Sequence, residues 1–328
     1  MAGVLALVQH DGGTPTETSL ELLTFARALA DAHGTEVSAV AFGDADGVEA
    51  LADGLGPYGV SAVHRVAQDD LDAYAPAAWG ESVAQLAADL GVDAVVGPGT
   101  DRGQEVMAHV GTAMDRPMAA NCLDASLDDD GSYELTRQRW GGSLIEHARL
   151  SGDPKLLTAA PHEFPIEEAG GAADPPVEAF EPDLDDDHLR VRVERVEASD
   201  VEGVPLGEAR VVVGGGRGVG GPEDYDMLEE LADLLGGTVG ASRAAVNEGW
   251  RPHDDQIGLT GAKISPDIYI ACGISGAVQH MVGCKGAKNI LAINTDPEAA
   301  IIGKARYAVI GDLHEVVPAI NEAIRNAE

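Results

Sequence analysis

Over residues 3–114, short apolar runs alternate with longer segments in which apolar residues recur at helical spacing. The run 3–9 predicts a buried strand, and a helix follows that opens at Thr16 or Glu17 and stops at Gly34. Its apolar face consists of Leu22, Phe25, Ala26 and Leu29. The alternation continues with predicted strands at 36–42, 61–67 and 93–97 and helices at 47–55, 78–90 and 103–114. This order predicts βαβ units and a parallel sheet.

From Asn121 the pattern changes to short alternating runs at 133–139 and 155–160, separated by Gly141-Gly142 and Gly152-Asp153-Pro154. We expect antiparallel pairing there, closing a first domain. Residues 165–188 are rich in Pro, Gly, Ala and acidic residues with little periodicity, which predicts a solvated acidic loop. The run 189–197 alternates again, and we expect it to pair with the first sheet. A domain boundary follows, giving domains at 1–200 and 201–328.

The second domain repeats the alternation. Its predicted strands are 209–213, 238–241, 267–272, 289–294 and 307–311, and its predicted helices run from Pro222 to about Leu235 and over 276–284, 298–304 and 314–326. The fold class is therefore α/β, with two domains that each contain a mainly parallel sheet flanked by helices.

Polar residues follow five of these strands at their carboxyl ends, where parallel sheets collect ligands. They are Arg217, Ser242, Ser275, Asn294 and Asp312. The strand 267–272 also leads into a glycine-punctuated turn and a helix start, whose free N–H groups favour an anionic or carbonyl oxygen. We expect one crevice that binds a polar, planar or phosphorylated ligand. The alternatives are ordinary α/β architecture, an exposed Arg217 and a His280 that packs on its own helix.

Two common nucleotide motifs do not account for this crevice. Gly216, Gly218 and Gly221 satisfy the GxGxxG spacing, but the next strand ends in Ser242-Arg243 where a nicotinamide site needs an acidic residue. The chain also lacks the GxxxxGK[ST] P-loop pattern.

Charge narrows the possible partners. The chain has 56 acidic and 21 basic residues among 328, a formal net charge of -35. Such an excess repels phosphate backbones and anionic lipids, so nucleic acid binding and membrane insertion are not expected. The hydrophobic fraction of 45% predicts a folded chain rather than a disordered one. Abundant acidic and small residues with scarce Lys predict a protein from a halophilic archaeon.

Other residue types exclude several chemistries. Cys122, Cys272 and Cys284 form no CxxC pair, which suits a reducing cytoplasm and offers no disulfide framework or metal site. The histidines lack companions at metal-ligand spacing, and no nucleophilic triad stands out, so no catalytic or metal residue is predicted. The amino terminus has no signal pattern and no apolar run is long enough to cross a membrane, so a cytoplasmic location is expected.

Over residues 209–326 the chain resembles the flavin-binding domain of the electron transfer flavoprotein alpha subunit. The segments that carry the resemblance are Gly216-Arg217-Gly218, Gly240-Ala241-Ser242-Arg243, Gln256-Ile257-Gly258-Leu259-Thr260-Gly261, Gly273-Ile274-Ser275-Gly276-Ala277-Val278-Gln279-His280, Ala292-Ile293-Asn294 and Gly311-Asp312-Leu313. The first domain is similar to that family more loosely, through Leu135-Thr136-Arg137, Gly141-Gly142 and Leu156-Leu157-Thr158.

The resemblance implies a Rossmann-like domain that binds FAD noncovalently, and a heterodimer with a beta subunit. It implies a non-enzymatic carrier that relays single electrons from dehydrogenases, such as acyl-CoA dehydrogenases, to a quinone-side oxidoreductase. Arg217, Ser242, Asn294, Asp312 and Leu313 would hold the ribityl, phosphate and adenosine groups. The isoalloxazine would lie among Arg243, Thr260 and the turn formed by Ser275, Gly276, Ala277, Val278, Gln279 and His280. Other residues expected to bind the cofactor are Gln256, Ile257, Gly258, Leu259 and Gly261.

The residue types suit that chemistry. A flavin that accepts one electron carries negative charge near its N1 and C2 carbonyl, where a cation or donor stabilises it. Arg243 over the ring and His280 at its carbonyl edge would do this, and Thr260 could reach N5. The chain departs from the family at Leu259, usually Gln, at Ala262, usually Lys, at Asn247, usually Asp, and at Arg306.

Two alternatives of other classes remain. One is an α/β nucleotide-binding regulatory protein without redox activity, and the other is a stand-alone flavin oxidoreductase. A yellow preparation that absorbs near 450 nm would favour either flavoprotein hypothesis over the regulatory protein.

Overall fold

The computed structural model describes residues 3–68, 71, 73–140, 144–169, 174–195, 206–207 and 209–326. The chain divides into two compact units, Met1–Ala198 and Ser199–Glu328. The division falls among residues outside those described, so the boundary predicted at 200 stays a prediction.

The first unit contains one large sheet and a two-stranded hairpin. Its elements are β1 (Val4–Leu7), β2 (His10–Asp11), β3 (Thr14–Pro15), α1 (Glu17–His33), β4 (Val37–Phe42), α2 (Ala45–Leu55), β5 (Val60–Val66), α3 (Pro76–Leu90), β6 (Ala94–Pro98), α4 (Asp101–Ala113), β7 (Met118–Leu127), β8 (Tyr133–Arg139), β9 (Leu144–Leu150), β10 (Lys155–Ala159) and β11 (Val177–Phe180). The nine strands follow the order β11-β5-β4-β1-β6-β10-β7-β8-β9. All pairings are parallel except those of β8 with β7 and β9.

Helices cover both faces of the parallel part of this sheet. On β1, Val4 and Ala6 pack into one core with side chains of α1 and α2, whereas Leu5 and Leu7 pack into a second core with α3 and α4. Successive strand side chains point to opposite faces, so a strand buried on both faces reads as a continuous apolar run. This is why the sequence predicted β1 well.

The predicted start and stop of the first helix are confirmed. The Thr16 hydroxyl accepts a hydrogen bond from the Ser19 backbone N–H at 3.3 Å, which satisfies a donor that the helix leaves free. Gly34 ends the helix at φ 66°, and its N–H donates to a carbonyl of the last turn.

Three predictions for the first unit are wrong. The run 155–160 forms β10, which pairs in parallel with β6 and β7, because all five of its strand residues are buried and need neighbours on both sides. The loop predicted at 165–188 contains β11, which extends the sheet edge beside β5. Residues 189–195 form no strand, and the rest of that predicted run lies outside the described residues, as do Gly141 and Gly142.

The second unit is a six-stranded, fully parallel sheet with helices. Its elements are β12 (Val211–Gly215), α5 (Asp226–Leu234), β13 (Thr238–Ser242), α6 (Arg243–Asn247), β14 (Gln256–Ile257), β15 (Ile268–Cys272), α7 (Val278–Gly283), β16 (Ile290–Asn294), β17 (Tyr307–Ile310) and α8 (Leu313–Arg325). The predicted α/β class with two mainly parallel sheets is confirmed. No helix among the described residues is long and apolar enough to cross a membrane.

The helix predicted at 298–304 is wrong, because the segment forms successive tight turns. Its backbone bonds join Ala299 to Asp296, Ile302 to Ala299 and Lys304 to Ile301, each three residues apart. Only Ile301 of this stretch is fully buried, so the segment lacks the apolar face that would hold a helix against the sheet.

The strand order of the second sheet determines where a ligand can bind. The order is β14-β13-β12-β15-β16-β17. From β12 the chain adds β13 and β14 on one side, and then returns to add β15, β16 and β17 on the other side of β12. Loops leaving these two central strands diverge to opposite faces and open a crevice at their carboxyl ends.

A buried carboxyl anchors the segment after β10. Glu21 of α1 accepts a hydrogen bond from the His162 backbone N–H at 2.7 Å, and its other oxygen lies 3.6 Å from His162 Nδ1. The bond to Glu21 raises the pKa of His162 above its ordinary value. The protonated imidazole therefore stabilises the fold below its unfolded pKa of about 6.5, and this contribution is lost as pH rises through the folded pKa.

We predict that His162→Asn, which keeps a residue tolerant of the backbone φ of 62°, lowers the free energy of unfolding more at pH 5.5 than at pH 8.5. The expected difference between the two pH values is about 0.5–1 kcal/mol, since solvent screens the exposed His162 side chain of this pair. Urea unfolding of both proteins at each pH measures it. An equal loss at both pH values would contradict the prediction.

The net charge of -35 predicts a second stability effect. Raising KCl from about 0.1 M to about 1 M shortens the screening length from about 10 Å to about 3 Å and weakens carboxylate repulsion in the folded state. We predict that Tm rises over this range in a calorimetric scan. An unchanged Tm would argue against adaptation to high salt.

Candidate functional site

A cleft of about 770 Å³ lies at the carboxyl edge of the second sheet, where loops after five of its strands meet. It brings together most of the predicted site residues: Arg217, Ser242, Arg243, Gln256, Ile257, Gly258, Leu259, Thr260, Ser275, Ala277, Gln279, His280 and Asn294. These residues are distributed over 78 positions of sequence, and the parallel sheet gathers them because it aligns its strand ends.

Glycines hold the two central loops in backbone contact. The Gly216 N–H donates to the Cys272 carbonyl at 2.8 Å, and the Gly218 N–H donates to the Gly273 carbonyl at 3.0 Å. A Cβ on Gly218 would lie 2.8 Å from the Gly273 Cα, and Gly273 has a φ of 63°. Neither position accepts a side chain without displacing the other loop, so glycine is required for this close approach.

A tight turn at 256–262 forms one wall. The Ala262 N–H donates to the Gln256 carbonyl at 2.6 Å, and the Gln256 side-chain amide donates to the Thr260 hydroxyl at 3.0 Å. The Leu259 N–H donates to the Gln279 carbonyl at 2.8 Å. This last bond ties the turn to the start of α7, so two segments twenty residues apart in sequence form one surface.

Two predicted ligand groups already have protein partners. The Ser242 hydroxyl caps α6 by accepting from the Ala245 N–H at 3.4 Å, which leaves its own O–H free to donate. The Asn294 amide donates to the Ile274 carbonyl at 2.9 Å and accepts from the Asp296 N–H at 3.0 Å. Asn294 therefore braces the loop after β15 as well as lining the cleft.

The cleft carries uncompensated positive charge. Arg217 and Arg243 are exposed, and neither makes a hydrogen bond or ion pair through its guanidinium with any residue that the structure describes. Acidic side chains exceed basic ones by 35 over the chain, yet Asp296 is the acidic residue among those lining this cleft. Two free guanidinium groups in a concave surface favour an anionic ligand such as a phosphate.

His280 supplies a neutral polar group at the base of the cleft. It is 7% exposed, and its Nε2 lies 2.8 Å from the Tyr269 hydroxyl. Burial lowers the pKa of His280 to about 4, against a smaller opposite effect from the Ile257 backbone. The imidazole is therefore neutral at pH 7. Its Nδ1 is buried, and besides Tyr269 the Ile257 backbone is the polar group that interacts with the imidazole.

Five predicted site residues lie outside the cleft lining, so their contact with a ligand stays a prediction. Gly276, at φ 81°, packs against the Ile301 backbone, and Gly261 packs against the Gln256 carbonyl. Val278 begins α7 and is 65% exposed. Asp312 accepts from the His314 N–H at the start of α8, and Leu313 is buried against the loop of Gly273.

The lining also contains residues that the sequence did not single out. Gly218, Gly273 and Ile274 belong to segments already recognised, but their own contact with the cleft was not predicted. Ala244, Asp296, Ala299 and Ala300 were missed entirely. Asp296 lies two residues beyond β16, so the same rule that pointed to Asn294 could have found it. Ala299 and Ala300 were hidden by the wrong helix prediction.

The cleft can bind a large, partly aromatic anion. Its volume is within the 300–1,000 Å³ typical of cofactor sites, and Ile257, Ile274 and Ala277 give it apolar walls. The free arginines suit phosphate. These features fit FAD, which combines a pyrophosphate with a tricyclic ring carrying two carbonyls.

Family models agree with this site. Residues 205–285 match the model described as the electron transfer flavoprotein FAD-binding domain, and residues 4–185 match the electron transfer flavoprotein domain. The second unit therefore carries an FAD-binding domain, and FAD is the cofactor.

Similar curated proteins cover the full length. The chain is 33% identical to the electron transfer flavoprotein subunit alpha of Thermoanaerobacterium thermosaccharolyticum, over 97% of this chain and 96% of that one. It is 35% identical to the same subunit of Mycobacterium leprae and 36% identical to that of Mycobacterium tuberculosis, each over 99% of both chains. The chain belongs to the electron transfer flavoprotein alpha-subunit family.

Proposed function

We propose that this chain holds FAD in the cleft of its second unit and, paired with a beta subunit, relays single electrons. The donors would be dehydrogenases such as acyl-CoA dehydrogenases, and the acceptor a quinone-side oxidoreductase in a halophilic cytoplasm. The observation that carries the proposal is a cleft lined by Arg217 and Arg243, neither of which pairs with a described residue, inside an FAD-binding domain. That domain favours a redox function over a nucleotide-binding regulatory one.

The predicted division of roles follows the charges. Arg217, with Ser242 and Asn294, would hold the phosphate and ribityl groups, and Asp312 with Leu313 would hold the adenosine. Arg243, Thr260 and the segment 275–280 would surround the isoalloxazine. When bound, FAD supplies the one-electron chemistry. The chain supplies a pre-organised positive charge at Arg243, which breaks no ion pair with a described residue when it contacts the ligand.

We predict that Arg217→Ala and Arg243→Ala each weaken FAD binding about tenfold or more, since charge-assisted hydrogen bonds contribute about 1.5–3 kcal/mol. Arg210→Ala is the matched control. Arg210 immediately precedes β12, whereas Arg217 follows the other end of the same strand, and Arg210 pairs on the surface with Asp267. Titration of FAD fluorescence against the stripped heterodimer measures the affinity. Equal losses in all three variants would refute specific arginine contacts.

The two arginines should differ in their effect on redox chemistry. Arg243→Ala removes a positive charge beside the ring and should lower the one-electron potential, by about 60 mV for each tenfold loss of stabilisation. Arg217→Ala, near the phosphates, should leave the potential within a few millivolts. Spectroelectrochemical titration of both variants checks this. A lowered potential in Arg217→Ala with none in Arg243→Ala would reverse the proposed orientation.

We predict that co-expression with its beta subunit yields a stable, yellow complex absorbing near 450 nm. Addition of an acyl-CoA dehydrogenase and its substrate should bleach that absorbance, and a quinone-side oxidoreductase should restore it. A folded complex that is colourless and does not take up added FAD would refute the proposed function. A yellow complex that no dehydrogenase bleaches would refute only the proposed donors.

A further inference from the structure

We infer that Arg251 is a positioning residue, which holds the start of the turn at 256–262 through an ion pair with Asp255. Arg251 is not among the residues that line the cleft, so it acts on a ligand only through this wall. The inference rests on the proposed function for the identity of the ligand. The position of the turn is a property of the protein alone.

The turn at 256–262 begins from a short edge strand. Its first two residues form β14, which lies at one end of the second sheet and pairs with β13 through Gln256 and Ile257. A two-residue strand makes few ladder hydrogen bonds, so it holds a loop less firmly than a longer central strand does. Further along, the Leu259 N–H ties the turn to the Gln279 carbonyl. The position of this wall therefore depends on what holds the residue before Gln256.

Asp255 is that residue. It immediately precedes β14, and its side chain is only 7% exposed. Arg251 Nε donates to Asp255 Oδ2 at 2.7 Å, and the Arg251 side chain is itself 22% exposed. A carboxylate buried to this extent needs a cation, because water cannot compensate its charge. The ion pair thus gives the turn a neutralised and fixed starting point.

Arg251 also connects this starting point to the rest of the domain. Its Nη1 donates to Glu229 of α5, and its Cζ lies 5.5 Å from the centroid of the Tyr225 ring. The Tyr225 hydroxyl donates at 2.9 Å to the carbonyl of Gly215, which is the last residue of β12. The loop that carries Arg217 leaves the sheet from that strand end. One guanidinium therefore contacts the supports of two walls of the cleft.

The shape of a guanidinium suits this role. Nε and Nη1 of Arg251 donate in different directions from one rigid plane, so they hold Asp255 and Glu229 at a fixed separation. A lysine would keep the charge without this fork. We therefore expect Arg251→Lys to retain part of the positioning and Arg251→Met to lose it.

Arg325 provides a matched control on the same helix. It belongs to α8, and its Nη1 pairs at 2.9 Å with Glu230, the neighbour of Glu229 on α5. The Arg325 side chain is 56% exposed, and the acceptor of its ion pair lies on α5 rather than before the turn. Arg325→Met thus removes one ion pair of α5 and leaves Asp255 with its cation.

The first test measures backbone hydrogen exchange in the full chain with its beta subunit, before FAD is added. We expect Arg251→Met to speed exchange about tenfold at the amides of Leu259 and Ala262, whose hydrogen bonds hold the turn. The amides of β15, in the middle of the sheet, should exchange as in the wild type. Arg325→Met should leave both sets unchanged.

The second test titrates FAD into the same stripped complexes. Arg251→Met should bind FAD about tenfold more weakly, Arg251→Lys should fall between it and the wild type, and Arg325→Met should match the wild type. The double variant Arg251→Met/Asp255→Asn should bind FAD more tightly than Arg251→Met alone, because it no longer buries an unpaired carboxylate. A residue that only stabilises the fold would not produce this rescue of affinity.

Unchanged exchange at Leu259 and Ala262 in Arg251→Met would overturn the inference, as would wild-type FAD affinity in that variant. Faster exchange spread equally over the turn and β15 would also overturn it, since that pattern marks a global loss of stability. If Arg251→Met does not fold, Arg251→Lys must show the same localised exchange, and its absence would count as refutation. The expected exchange pattern in complexes that do not take up FAD would refute the proposed function and leave the role of Arg251 standing.

Discussion

The site depends on the backbone contact between the loops that follow β12 and β15. Gly218 and Gly273 meet so closely that neither tolerates a Cβ, and the bond from the Gly218 N–H to the Gly273 carbonyl fastens them. This contact fixes where the two loops begin at the carboxyl edge of the sheet. Arg217 projects from one of them and Ser275 from the other, so the cation and the turn before α7 keep their separation. Leu313 packs beneath Gly273 and supports the same contact from α8.

Electrostatics gives this crevice its selectivity. In a chain with a net charge of -35, most surfaces repel anions, but the cleft contains two guanidinium groups that pair with none of the described residues. A carboxylate partner for either arginine would stabilise the protein without ligand slightly, as surface ion pairs do. It would also neutralise the positive charge that attracts an anionic ligand. The free arginines are thus better explained by a ligand than by stability of the fold.

Burial determines the protonation state of His280. An exposed histidine near pH 7 would exchange between charged and neutral forms, whereas this one remains neutral because its site excludes water. Its partner Tyr269 lies in the core of the sheet, where the backbone ladder on both sides holds it in place.

The sequence alone determined the α/β class, the strands that are apolar throughout and the polar residues at their carboxyl ends, because these features depend on local periodicity and on the common edge of parallel strands. Arg217, Ser242 and Asn294 were found in this way. Tertiary structure decided the features that depend on distant neighbours. One is the parallel position of β10 between β6 and β7, and another is that the segment 298–304 forms turns and not a helix. It also decided that Tyr269 reaches His280, because only the neighbouring Gly214 leaves room for the hydroxyl. Local pattern cannot encode that space.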